Sequence, residues 1–238
     1  MQAVESQVSA PPPGQAHPVE PLARLLLQWG VAPAPAGPVA ERLGGWLGWA
    51  DAIQLSQALA VPAHGAPGPA ATRRAAREWA DAALDRVQTE LHAAFVDAEL
   101  ARESAEPLPL LPSSTPAPLA DLLAPYRLHH AQQQRSIAAR VASLRERLRA
   151  RLADDSPALT QLAALDAVFD RALALHEREL LAGLPALLTR RATAHAATDP
   201  RHWRARFWAD LQRALRAELD LRLQPVLGLI EALHPDAR

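Results

Sequence analysis

The chain has no cysteine and, although it carries 25 basic residues, no lysine. The first absence excludes disulfides, thiolate metal sites and a cysteine nucleophile. The second excludes a phosphate-binding GxxxxGK[ST] loop, whose lysine is indispensable. Aromatic residues make up only 4% of the sequence, and β-branched residues are few, so the usual strand material is scarce. No apolar run approaches the ~20 residues of a membrane span; Val226–Ile230 is among the longest. Net charge is −1, which leaves no global field to draw in nucleic acid or acidic lipid. The first seventeen residues lack the basic start and apolar block of a secretory signal. These absences predict a cytoplasmic protein.

What is present is helix material. Leucine and alanine dominate, and the apolar residues recur at helical spacing. The expected fold class is all-α, a multi-helix bundle organised around a long antiparallel αα-hairpin at about 126–188. Ile137, Val141, Leu144, Leu148 and Leu152 form its first stripe, at steps of four, three, four and four. Ser156 then stands where an N-cap belongs, with Pro157 at the first helical position. Leu162, Leu165, Phe169, Leu173 and Leu180 form the second stripe. A turn this short folds two amphipathic helices back on each other.

The rest of the chain divides by composition. Residues 1–17, with Pro11-Pro12-Pro13-Gly14, read as a disordered arm. Residues 18–60 read as a helical hairpin: one helix to Trp29, stopped by Gly30, and a second with Val39, Leu43, Trp46, Leu47, Ala50, Ile53 and Ala58 inward. Gly44, Gly45 and Gly48 beside Trp46 and Trp49 suggest close packing, either of an internal hairpin core or of a docked partner helix. Residues 61–70 form a linker. An acidic helix over 71–104 follows, capped by Thr72, with Ala76, Ala80, Leu84, Val87, Leu91, Phe95 and Ala98 inward. A proline-rich linker, 105–118, leads to a C-terminal bundle over 119–238. Pro125 is expected to kink or restart its first helix, and Pro225 to kink its last. Asp199-Pro200 reads as another cap-plus-proline start, after a polar gap at Thr193–Thr198.

Candidates for chemistry are few. His176-Glu177-Arg178-Glu179 lacks the second histidine of HExxH, because Leu180 occupies that place; His176 reads as a packed or interfacial histidine. His129 and His130, being adjacent, face different sides of a helix and read as a solvated pair. No GxSxG elbow occurs. The expectation is no enzyme activity, no cofactor, no metal and no small-molecule ligand. A small-molecule enzyme or binding protein would need a concave pocket with convergent polar groups. The charge pattern is more informative: Arg127, Arg135, Arg140, Arg145, Arg147, Arg149 and Arg151 face only Glu146 on their own helix, and the helix before it is acidic. Either the acidic helix covers this arginine flank or the flank is a binding surface. An arginine-only basic set beside abundant alanine and proline also fits a GC-rich coding bias.

Several segments together resemble an uncharacterised all-helical bacterial family, a domain of unknown function. They are Pro21–Leu26, the block Ala40–Ile53 (AERLGGWLGWADAI), Tyr126-Arg127, Gln132–Gln134, and Ser156–Leu159 leading into Leu162–Asp166. The resemblance covers the chain from about Pro18 and transfers no catalytic residue. It implies an association with proteins resembling flagellar-stator or biopolymer-transport proton channels, hence a cytosolic accessory to an envelope complex. The reading that follows is a non-enzymatic helical interaction protein that docks a protein partner or a second copy. Its candidate surface is Trp46, Trp49, Arg140, Arg145, Arg147 and Arg149. The alternative is a nucleic-acid-associated protein using the arginine-rich helix 127–151.

Overall fold

A computed structural model describes residues 21–31, 44–60, 68–108 and 118–234. Among the described residues there are eight helices and no strand. They are α1 (Pro21–Gln28), α2 (Trp49–Ala60), α3 (Ala70–Phe95), α4 (Ala98–Ala105), α5 (Leu119–Ala153), α6 (Pro157–Ala182), α7 (Leu184–Thr198) and α8 (Trp203–Glu231). The expected arm at 1–17, Val39, Leu43 and most of the two linkers lie outside the described residues.

The α5–α6 hairpin forms as its turn chemistry dictates. The Ser156 side chain accepts from the backbone N–H of Leu159, Pro157 opens α6, and Gly183 closes it. Along α5, Ile137, Leu144, Leu148 and Leu152 are fully buried. The second stripe is different. Leu180 is exposed, and the buried positions of α6 are Leu159, Ala163, Val168 and Leu181. The physical reason is that α6 is sandwiched, with α5, α2 and α8 all packed against it, so most of its residues are half-covered.

The central partner of the hairpin is α8, which also receives α1, α3, α4 and α7. Trp203, Phe207, Leu211, Leu215 and Leu219 face inward as their spacing predicts. A single apolar core joins α1, α3, α4, α5, α6, α7 and α8. Among the described residues of the segment 18–60, α1 lies on α8, whereas α2 lies on α6.

Local chemistry explains the other departures. The acidic helix breaks at Val96-Asp97, where Asp97 accepts from the backbone N–H of Glu99 and Leu100 and starts α4. The register resets there, so Leu100 is buried and Ala98 exposed. Thr72 is not the cap of α3, which begins at Ala70. α5 runs uninterrupted through Pro125, which sits in its second turn, where the carbonyl it abandons belongs to exposed Asp121. α8 likewise continues through Pro225. The polar gap at Thr193–Thr198 is helical; Thr193 and Thr198 donate to carbonyls four residues back. Asp199 caps a turn through the N–H of Arg201 and His202, and α8 starts only at Trp203.

Gly68 shows where the chain must approach itself closely. A Cβ there would lie 2.5 Å from the Asp155 carbonyl oxygen, and five residues on Arg73 pairs with Asp155 at 3.1 Å. The entry to α3 is thus clasped to the turn of the hairpin. At Gly44 and Gly45, by contrast, a Cβ would meet nothing within 4 Å among the described residues, and at Gly48 only the Asp51 carboxylate, at 3.4 Å. Among the described residues there is none of the close packing expected at those three glycines.

Candidate interaction surface

The arginine flank of α5 is closed from a side that its charges alone do not reveal. Arg145 donates to Asp166 through two nitrogens, at 2.9 and 2.6 Å, and to Asp170 at 2.7 Å. Arg149 bridges the same two carboxylates at 3.0 and 2.9 Å. Arg145 and Arg149 are four apart on α5, and Asp166 and Asp170 four apart on α6, so one face of each helix meets the other. Burial opposes the charge on Arg149, but the bonds from Asp170 and Asp166 outweigh it and push its pKa up. Each four-residue step down α5 is matched by a four-residue step up α6, the arithmetic of an antiparallel hairpin. That spacing was present in the sequence and is the signal by which Asp166 and Asp170 could be found.

The acidic helix contributes less. Of its carboxylates, Glu90 pairs with Arg140 across the α3–α5 seam, and Asp81 pairs with Arg77 of its own helix. Arg147 and Arg151 extend over the Trp79 ring, 5.9 and 4.6 Å from its centroid. Of the four predicted arginines, then, Arg145 and Arg149 belong to one internal cluster. Arg140 is a half-exposed seam contact, and Arg147 is exposed.

The polar section of α5 is internal. His129 and His130 are buried, at 5% and 3% exposure, which corrects the expected solvated pair. His129 Nε2 lies 3.1 Å from the Phe95 carbonyl, within a bend of α3 and α4 against α5 and α8. Gln134 donates to Glu218 of α8 at 2.9 Å. Two buried carboxylates on α8 have opposite fates. Desolvation raises the pKa of Glu218 despite the bonds from Gln134 and Arg222. For Asp210 burial pulls the same way, but hydrogen bonds from His195, Arg191 and Arg213 outweigh it and hold the carboxyl below its usual range. Among the described residues no three His, Asp or Glu side chains are placed to hold a metal ion.

The two tryptophans diverge. Trp46 stacks on His176 of α6 with centroids 5.0 Å apart, confirming that histidine as a packed one. Trp49, at the start of α2, is 83% exposed. α2 runs antiparallel to α6: Gln54 meets Arg171, and Gln161 donates to the Leu59 carbonyl. Its inward anchor is Ala58, while Trp49, Ile53 and Leu59 remain exposed. Asp51, the only charged residue of α2, accepts from the Gly48 N–H at 3.0 Å.

The match to a family model extends over residues 6–235, and the family is described as a protein of unknown function (DUF3348). The chain belongs to this family. The all-helical fold and the extent of the match agree with the resemblance drawn from Pro21–Leu26, the tryptophan block and the 156–166 segment. No curated protein and no solved structure matches the chain. Among the described residues no helix is long and apolar enough to cross a membrane.

Proposed function

We propose that this chain is a non-enzymatic helical interaction protein that self-associates through the outer face of α2. The observation that carries the reading is Trp49, a tryptophan left 83% exposed on a helix with no charge but Asp51. Trp49, Ile53, Ser56 and Ala60 follow one another at steps of four, three and four, an uncovered helical stripe. Tryptophans dominate the energetics of protein interfaces, and a contiguous exposed apolar patch marks a surface with a partner. A second copy suits this face because an uncharged stripe is complementary to itself, with no like charges to oppose a two-fold contact.

Light scattering across a concentration series tests the reading. The parent should show a concentration-dependent dimer, and Trp49→Glu with Ile53→Glu should remain monomeric with unchanged helicity. A parent that stays monomeric at every concentration would end it. The same reading makes the chain an accessory protein of the cytoplasm, in keeping with a sequence free of cysteine. Nucleic-acid binding through helix 127–151 has less support, because Arg140, Arg145 and Arg149 are already matched by Glu90, Asp166 and Asp170.

A further inference from the structure

A second feature is independent of the α2 face. Between α5, α7 and α8 lies a cavity of about 140 Å³, lined by Leu123, Tyr126, Pro185, Leu188, Phe207 and Leu211. Its polar lining comes from Arg127, His130 and Thr189. His130 is 3% exposed, and its Nε2 has no hydrogen-bond partner among the described residues. Leaving a buried ring nitrogen unpaired is costly, so the group is aimed at something that completes it. A water would find few other polar atoms in this lining, since the Tyr126 hydroxyl is already bonded to Ser104 at 2.8 Å.

Arg127 and His130 are three apart on α5 and so share one face, one turn from each other. Arg127 is exposed and pairs with no carboxylate among the described residues; its guanidinium reaches the Thr189 hydroxyl at 3.4 Å. The Thr189 hydroxyl is spent on the Pro185 carbonyl, to which it donates at 3.0 Å, so the cavity has an apolar chamber and, beside it, a cation and an imidazole nitrogen without a partner. A void of about 150 Å³ lined by leucine and phenylalanine accepts a benzene ring.

We infer that this cavity is a binding site for a small monocarboxylic acid with an apolar body the size of one ring or a short alkyl chain. The carboxylate lies between the Arg127 guanidinium and the His130 Nε2–H, and the body fills the space between Leu123, Leu188, Phe207 and Leu211. In the neutral imidazole Nε2 then carries the proton and donates it to the carboxylate oxygen. A guanidinium paired with a carboxylate forms a charge-assisted bond, which selects the acid over its neutral analogue. Phosphate, with no apolar body, gains nothing from the chamber.

Titration calorimetry and ligand-observed NMR on the full chain, with benzoate as probe and benzyl alcohol and inorganic phosphate as comparisons, test the assignment. Benzoate should saturate with a Kd on the order of a millimolar or tighter, roughly tenfold below benzyl alcohol, with no phosphate binding. Arg127→Gln, at an exposed position, should weaken benzoate by about tenfold. His130→Leu should erase the preference for the acid. Ala131→Leu, which keeps both polar groups but fills the chamber from a half-buried position, should abolish binding. Absence of saturable benzoate binding overturns the assignment. So does equal binding of benzyl alcohol, or benzoate binding unchanged in Ala131→Leu.

Discussion

The α5–α6 seam and the outer face of α2 solve opposite problems on the two sides of one helix. At the seam, two arginines and two aspartates are largely withdrawn from water and satisfied by each other, so nothing is left over for a partner. On α2, the only charge is spent at the helix start and the apolar side chains remain outside. The difference teaches that a dense run of charge is no better a guide to a binding surface than a helix nearly free of it. A charged side chain finds an internal partner when an opposite charge lies at the matching spacing. An exposed indole on an uncharged helix has no such internal recourse.

The comparison breaks most sharply at the seam. Replacing both Asp166 and Asp170 by Ala should cost about 3–5 kcal/mol in urea unfolding, because buried Arg145 is then an uncompensated charge. A loss below about 1 kcal/mol would mean the seam is held by its leucines alone.

His130 provides the next largest effect. Burial first, and the neighbouring His129 second, lower its pKa from 6.5 to about 4. Between those values the unfolded chain binds the proton and the folded one does not, so stability rises with pH across the window and is lost as pH falls through it. The contribution amounts to about 3 kcal/mol at ~1.4 kcal/mol per pKa unit. Thermal unfolding followed from about pH 4 to pH 7 should show it, and His130→Leu should flatten that part of the profile.

Gly68→Ala forces a Cβ against the Asp155 carbonyl and should cost about 1–3 kcal/mol, read as a lowered urea midpoint. The α2 face lies at the other extreme. Trp49→Ala should change the unfolding free energy of the monomer by no more than about 0.5 kcal/mol, as expected for an exposed position, while weakening dimerisation. If Trp49→Ala instead unfolds the chain, the indole is part of the fold and the contrast fails.

Much of this architecture was legible in the sequence. The α5 stripe, the Ser156-Pro157 turn, the α8 stripe and the Gly30 stop are local patterns, and all appear as read. What failed depended on neighbours. Leu180 obeys the helical period yet is exposed, because three helices compete for the sides of α6. His129 and His130 look like surface residues until α7 and α8 close over them. The glycines near Trp46 suggest contact by composition, but among the described residues nothing comes to meet them. For the candidate surface, the spacing of Asp166 and Asp170 was available but easily masked by the nearer acidic helix. Trp49 stands out in the sequence as a residue, and only the packing of α2 on α6 reveals how far it stands in water.

The position of α1 has a consequence for synthesis. Leu22 and Leu25 are buried in the core that α1 shares with α8, the final helix of the described chain. α1 leaves the ribosome well before α8, an interval on the order of ten seconds or more at ~5–20 residues per second. Before α8 is complete the α5–α6 hairpin can fold from contacts close in sequence, while Leu22 and Leu25 wait uncovered. α1 is thus the latch of a vectorial assembly, and its two buried leucines stay open to proteases and chaperones until α8 follows.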